Sequence, residues 1–472
     1  MTASLTKNTT YITGALTIQK ALSFIYFWFI SNSLLPGQLG QYVFALSFAA
    51  LFSMFMDIGL SPVLTREASR EPEQANRYLR NVITLKLPLG AFSVLLAWLF
   101  IHLTGKPPEV RTLIYLASCI TFLDSFSLSF WVVFRSRRML GYESIATILV
   151  QIIIFVLGLT ALRVSGEVQY LMAALLAASV FNFVFVSTLL ATKLHMNILP
   201  KFDRQVVDKF LRLIPAFAIA GVLLKIYNSV DSVLLSYLVS DEAVGYFAIP
   251  AKVVSSLQQV IPGAFAAVIF PAFSFYHGTS VAQLAHTFRK AIEYLLVISI
   301  PLTAGILTLL PEIIATVWPT YKPIIPNFAI MTLAIPFIFL AFPTGYLLNA
   351  TDRQVQNTWN RAIITALAVI LNLALIPKFS YVGAGITFLI TNVVLLFLDI
   401  WRTHQVIQIT LKEWLSIIGR IALAAVGMVI LIAGMKTILP IFIIIPAGAV
   451  VYFGLLHLFG GLAFLYPKQV AN

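Results

Sequence analysis

Charge is scarce in this sequence. Asp, Glu, Lys and Arg make up 10% of its 472 residues and hydrophobic residues 60%, whereas an ordinary soluble domain is ~25% charged. A water-soluble enzyme of this length could not cover its surface with so few charges. Cysteine is nearly absent too. Cys119 is the single one and lies within an apolar run, so a disulfide within the chain and a thiol metal cluster are both excluded. The P-loop pattern G-x-x-x-x-G-K-[ST] is missing, as are H-E-x-x-H, G-x-S-x-G and any Cys/His cluster. The six histidines (His102, His195, His277, His286, His404, His457) are never paired at ligand spacing. ATP hydrolysis through a P-loop is therefore excluded, and neither a cofactor nor a bound metal is expected. Strand-like alternation is missing as well, which removes an outer-membrane barrel. No cleavable signal pattern stands at the start, where the polar stretch Met1–Thr10 leads straight into an apolar run.

What is present is apolar sequence cut into many runs of about 20–25 residues, each long enough to cross ~30 Å of hydrocarbon as a helix. The class is an all-α integral membrane protein of about fourteen transmembrane helices, the first at 11–32 and the last at 438–466. The second is expected at 39–63, the third at 81–104, the seventh at 213–238 and the eighth at 243–275. The formal charge of +13 comes from 31 Lys and Arg against 18 Asp and Glu. Walking the links alternately puts 22 of those 31 on one side, six on the other, and leaves Lys20, Lys225 and Lys252 inside the membrane. Lys86 is counted with the loop charges on the richer side, as are Lys7, Lys412 and Lys468. The positive-inside rule makes that side the cytoplasm and places both termini there, so the Asn8-Thr9-Thr10 sequon reads as coincidence. Basic loops also favour anionic lipid headgroups. A nucleic-acid partner is not expected.

The chain carries an internal echo. Gln41-Tyr42-Val43-Phe44-Ala45 opens the second span and Gly245-Tyr246-Phe247-Ala248 opens the eighth; Arg135–Arg138 lead into the fifth much as Asp352-Arg353 lead into the eleventh. A spacing of about six spans predicts two parallel six-helix repeats. The expected organisation is an N-terminal lobe at 1–191, a cytoplasmic linker at 192–212, a C-terminal lobe at 213–405 and two additional helices at 412–466.

A charge at bilayer depth is expensive, which makes each one a functional candidate. Lys20 has Thr13, Thr17, Ser23 and Tyr26 on its stripe, Lys225 has Asn228, Ser229 and Ser232, and Lys252 has Ser255, Ser256 and Gln259. Three cations at similar depth on polar stripes point to an anion. Phosphate or pyrophosphate suits lysine as a point charge, and the hydroxyls and amides suit sugar. A plainer explanation stands beside this one: a lysine can neutralise Asp231 or Asp124, or reach the interface along its stem. Asp57, Asp124 and Asp231 are ion-coupling candidates for H+ or Na+, or equally fixed counter-ions of the lysines. Prolines 215, 250, 262, 271, 301, 336 and 343 punctuate the spans. The long eighth span calls for a bend near Pro262 or an inward extension.

Met56-Asp57-Ile58-Gly59-Leu60 with Leu64-Thr65-Arg66, Arg212-Leu213-Ile214-Pro215, Asp231 to Leu235 and Gly245-Tyr246-Phe247-Ala248 resemble signatures of one family. So do Leu348-Asn349-Ala350, Leu371 to Pro377 and Gly383-Ala384-Gly385. These are the polysaccharide-type (Wzx-like) flippases of the multidrug/oligosaccharidyl-lipid/polysaccharide exporter superfamily. The resemblance implies a V-shaped bundle of two six-helix lobes around a central cavity, and alternating access for a polyprenyl-pyrophosphate-linked oligosaccharide. It implies no enzymatic activity, a cytoplasmic (inner) membrane location and, by analogy, a glycan polymerase complex as partner. Related lipid II flippases line the cavity with cations from helices one, two and eight. Here the second span offers Asp57 but no basic residue at depth, which makes a glycan repeat unit the expected cargo ahead of lipid II. A multidrug or cation antiporter is the rival within the superfamily, and the buried lysines weigh against it. A membrane glycan polymerase or ligase would want a large outer loop, which the short links do not provide. A scramblase without a pumped cycle remains open.

Overall fold

A computed structural model describes residues 2–408, 411–436 and 438–461. The expected roles of Lys468 and of the final residues of the last span fall outside the described residues, as do the side chains of Lys7, Asn8, Thr13 and Lys412. The described residues form helices and no strand. The chain divides into two compact units, 1–248 and 249–472.

The first unit contains α1 (Thr2–Ser33), α2 (Pro36–Phe52), α3 (Met54–Asp57), α4 (Leu60–Arg70), α5 (Ala75–Leu103), α6 (Pro108–Ser136), α7 (Leu140–Val164), α8 (Val168–Lys193) and α9 (Arg204–Leu238). α10 (Asp241–Thr279) opens in it and continues into the second unit, which holds α11 (Val281–Val317), α12 (Ile325–Leu333), α13 (Ile335–Ala350), α14 (Gln354–Thr403), α15 (Leu411–Met435) and α16 (Ile441–Leu458). Among the described residues, twelve helical segments are long and apolar enough to cross a membrane. One of them, α14, runs 50 residues, about 75 Å of helix. It breaks at Ser380 (φ 55°, ψ −138°) and so supplies two passes. α1, 32 residues long with Gln19 and Lys20 near its middle, is not among the twelve.

Three details depart from the expected spans. α5 begins at Ala75, not near 81, because Asn76, Arg77, Tyr78 and Arg80 occupy helical turns below the apolar stretch. The second span is not one helix. It breaks after Phe52 and again at Ile58 (φ 36°) and Gly59 (φ 80°). Left-handed backbone suits glycine. At Gly59 a Cβ would also come within 2.9 Å of the Ala218 amide nitrogen on α9, so the glycine admits a close helix approach. Finally, the eighth span is longer than expected: α10 is one helix of 39 residues through Pro250, Pro262 and Pro271.

The core of the first unit is apolar and aromatic, with Phe130, Trp131 and Phe134 of α6 packed among Leu64, Leu79, Val186 and Phe210. That of the second gathers Phe273, Phe288, Met428 and Tyr452, whose hydroxyl donates to the Val297 carbonyl at 2.9 Å. Outward-facing Phe92, Leu95, Leu99 and Leu103 on α5 are exposed, as a hydrocarbon surrounding requires.

The echo in the sequence has a structural counterpart. The link before α7 has Arg138 at φ 60° and the link before α14 has Asp352 at φ 58°. Both are closed by the same five-residue backbone bond, from Met139 N to the Phe134 carbonyl and from Arg353 N to the Leu348 carbonyl. The other pair of echoing segments meets inside the first unit. A Cβ on Gly40 would lie 1.6 Å from the Asp241 carbonyl oxygen, and one on Gly245 would lie 2.0 Å from that of Pro36. Each glycine thus faces the residue four positions before the other, so the seam between α2 and the start of α10 is reciprocal. Beside it Lys106 pairs with Asp241 at 2.9 Å.

Candidate functional site: a buried cation cluster

The break in the second span creates the site. Because the chain turns at Ile58-Gly59, Asp57 is left at the end of α3 with its carboxylate facing the start of α4. There it accepts from the Ser61 amide at 3.3 Å and the Ser61 hydroxyl at 2.5 Å. A carboxylate at a helix start satisfies orphan donors and the local dipole. Its other partner is Lys86 of α5, whose ammonium lies 2.6 Å away. Lys86 is 1% exposed and also donates to the Ser125 carbonyl at 2.8 Å and to the Ser61 and Ser125 hydroxyls at 3.1 Å each. Ser129 of α6 stands 3.3 Å from Ser61 and completes the hydroxyl ring.

Lys86 was expected among the loop charges, and the structure corrects this. With α5 starting at Ala75, Lys86 sits three turns in, about 16 Å along the axis. The basic group that the second span itself lacks is supplied at its break by the third.

Lys225, expected at depth on the seventh span, is half-buried on α9 and donates to the Ser53 hydroxyl, in the break between α2 and α3. It is near enough to Asp57 and Lys86 to interact with both charges. Lys86 is paired with Asp57 and Lys225 stands near that pair, so two cations and one carboxylate leave one positive charge in excess, lined by hydroxyls of Ser53, Ser61, Ser125 and Ser129. A buried pair tolerates this only with its donors satisfied, and an anion entering the cluster would offset the surplus charge.

The other expected residues are spread more widely. Lys20 is half-buried on α1, and the polar groups that contact Lys86 come from α3, α4 and α6 instead. Asn228 is exposed one turn beyond Lys225. Asp231 is half-buried on α9. Asp124 is exposed on α6 and interacts with Ser179 of α8. In the second unit Lys252 is half-buried, Ser255 donates to the Lys252 carbonyl at 3.0 Å, and Gln259 is exposed. Among the described residues no cluster of three His, Cys, Asp or Glu is placed to hold a metal.

At the end of the first unit that carries residues 66–80 and 199–212, a second set of charges clamps the chain. Lys209 reaches Glu67 at 2.6 Å and Glu71 at 3.3 Å, and Arg77 reaches Asp203 at 2.6 Å. The Glu67 carboxylate beside Lys209 holds its ammonium above the ordinary lysine range. Tyr78 and Lys209 lower Glu71, and Arg77 lowers Asp203.

These features define a multi-pass helical membrane protein with a cationic cluster buried in one of two compact units. Residues 5–277 match the family described as polysaccharide biosynthesis protein, more than half of the chain, and the chain belongs to that family. Among curated relatives, an uncharacterized membrane protein of Methanocaldococcus jannaschii, MJ1068, is 25% identical over 332 residues, covering 66% of this chain. The aligned part spans 63% of that relative's length. Among solved structures, the lipid II flippase MurJ in an inward closed conformation has a TM-score of 0.78 at 15% identity, over 95% of this chain and 98% of that one. An inward-facing multidrug resistance MATE transporter of the MOP superfamily has a TM-score of 0.64 at 15% identity, over 82% and 94%. A MOP superfamily transporter from Pyrococcus furiosus gives 0.58 at 15%, over 85% and 96%. The fold is thus that of flippases and transporters of this superfamily.

Proposed function

We propose that the chain is a flippase, not an enzyme, that moves a polyprenyl-pyrophosphate-linked oligosaccharide across the cytoplasmic membrane by alternating access without ATP. Both termini face the cytoplasm in this reading. The observation that carries it is the Lys86–Asp57–Lys225 cluster, where a second ammonium group stands beside a lysine–carboxylate pair among serine hydroxyls. A surplus charge at membrane depth is costly until an anion arrives, and lysines with hydroxyls suit pyrophosphate beside sugar. Lys20, with Asn228, and in the second unit Lys252, Ser255 and Gln259, are proposed as further contacts for the headgroup during the cycle. The prenyl tail stays against lipid. H+ or Na+ drives the cycle, and a glycan polymerase complex receives the product. Asp124 and Asp231 are retained as candidates for coupling, while Asp57 acts first as the counter-ion of Lys86. A cationic drug would meet repulsion from the same lysines.

The test is flipping of a labelled polyprenyl-pyrophosphate oligosaccharide in proteoliposomes without ATP, wild type against Lys225→Ala. A lost charged hydrogen bond is worth ~1.5–3 kcal/mol, so flipping at low substrate should fall about tenfold or more. Absence of flipping by folded wild type under an imposed ion gradient would reject the reading.

A further inference from the structure

A buried carboxylate in the second unit is not accounted for by the cation cluster. Asp399, near the end of α14, is fully buried. Among the described residues it makes no ion pair. Its contacts are neutral: Asn360 donates its amide N–H to Oδ1 at 2.8 Å, and Thr344 of α13 places Oγ1 3.4 Å from Oδ2. That differs from Asp57, whose charge is met by a lysine at 2.6 Å.

The Thr344 hydroxyl decides how the contact reads. It has one proton to donate, and the Leu340 carbonyl one turn back lies at 3.0 Å, nearer than Asp399 at 3.4 Å. With the proton on Leu340, Thr344 offers a lone pair to Oδ2, and the contact is satisfied when Asp399 itself carries a proton and donates it. When Asp399 is ionised, rotation of the same hydroxyl turns its proton from Leu340 to Oδ2. Both states thus have a hydrogen-bonded arrangement, separated by one side-chain rotation. The Asn360 amide is held to Asp399 even though its own Oδ1 is buried without a partner among the described residues. Since the amide presents N–H groups and not oxygen to the carboxylate, the site suits a proton better than a metal cation.

The charged surroundings are sparse. Arg361, on the first half of α14, is the charged side chain whose field acts on Asp399. Tyr346, the one titratable residue of α13, packs on the Phe270 ring at 5.7 Å. α12 contains no titratable residue.

We propose that Asp399 is a proton-binding site of the second unit, shared with Thr344 and Asn360, and that its loading and release is the coupling step of transport. The coupling role rests on the flippase reading; proton binding at Asp399 does not. The two are separated by infrared difference spectroscopy of the purified full-length protein in nanodiscs, titrated in pH without substrate. A protonated-carboxyl band should appear in the wild type and be missing in Asp399→Asn. Thr344→Val keeps the shape and removes the hydroxyl, and should change the proton affinity behind that band about fivefold, the worth of one neutral hydrogen bond. It also serves if Asp399→Asn does not fold. A band that persists in folded Asp399→Asn, or is indifferent to Thr344→Val, overturns the site, and so does a band abolished by Na+ at fixed pH. In proteoliposomes, flipping by Asp399→Asn should stop responding to an imposed pH gradient. An undiminished response overturns the coupling step even where the band titrates. If wild type flips nothing while the band behaves as expected, the proton site stands and the flippase reading fails.

Discussion

Replacing Asp57 with Asn would leave Lys86 as an unpaired ammonium at 1% exposure. Three acceptors remain to it, the Ser125 carbonyl at 2.8 Å and the Ser61 and Ser125 hydroxyls at 3.1 Å. The Asn side chain can still accept from the Ser61 amide, so most of the loss is electrostatic. Breaking one side of a buried ion pair costs ~3–5 kcal/mol, and the surviving neutral acceptors favour the lower end of that range. The folded-to-unfolded ratio should therefore drop on the order of 100-fold. Removing both charges in Asp57→Asn/Lys86→Met should recover most of this, to within ~1 kcal/mol of wild type. The assay is reversible unfolding by SDS titration in mixed micelles, followed by circular dichroism, for both single variants and the double. A cost below ~1 kcal/mol for Asp57→Asn, or strict additivity in the double variant, would refute the claim that the two charges sustain each other. The double variant also separates scaffold from function: it should fold, yet flip lipid-linked oligosaccharide poorly because one phosphate-binding ammonium is gone. Normal flipping by that variant would remove Lys86 from the substrate site.

Gly245→Leu should disrupt the seam between α2 and the start of α10, since its Cβ would fall 2.0 Å from the Pro36 carbonyl oxygen. Overpacking of this kind costs ~1–3 kcal/mol, and Gly40→Leu combined with it should be less than additive in the same SDS titration. A fully stable Gly245→Leu protein would contradict the seam. The clamp around Lys209 should respond to pH. Glu71 and Asp203 lie below their ordinary values, so their stabilisation is present above about pH 4.5 and is lost as pH falls through their lowered folded-state values. Lys209 lies above its ordinary value, so its share is complete below 10.5 and disappears only as pH rises through the raised one. Hydrogen exchange of residues 66–80 and 199–212 should be slow at pH 7 and faster, after correction for intrinsic rates, near pH 3.5. Equal protection at both pH values would rule the clamp out.

How much of this was legible in the sequence differs residue by residue. Hydropathy is a collective signal, and it carried the all-helical membrane class. Asp57 could be singled out because an acid among Met56, Ile58 and Leu60 has no cheap place in hydrocarbon. Its partner could not, because Lys86 lies close to the start of an apolar run. Nothing local reveals that the helix already began at Ala75 and carries the lysine inward. Asp399 escaped for the same reason at the other end of a span, two residues before Trp401-Arg402. Gly59 was visible as part of a signature, but its purpose depends on Ala218 of α9, 159 positions away. Pairing across such distances in the chain is decided by packing, which periodicity does not encode.

The reciprocal seam carries one more consequence. A glycine that meets the position four before its counterpart, on both sides, has the geometry of the self-complementary contact in a two-fold dimer, where one patch recognises itself. Within the first unit Gly40 and Gly245 thus do the same work from opposite sides of one helix crossing, so a side chain added at either should disturb the same contact. Asp57 is tied to a lysine, whereas Asp399 is surrounded by neutral donors. The two acids therefore stand in unlike electrostatic environments, one met by a lysine and one by uncharged donors.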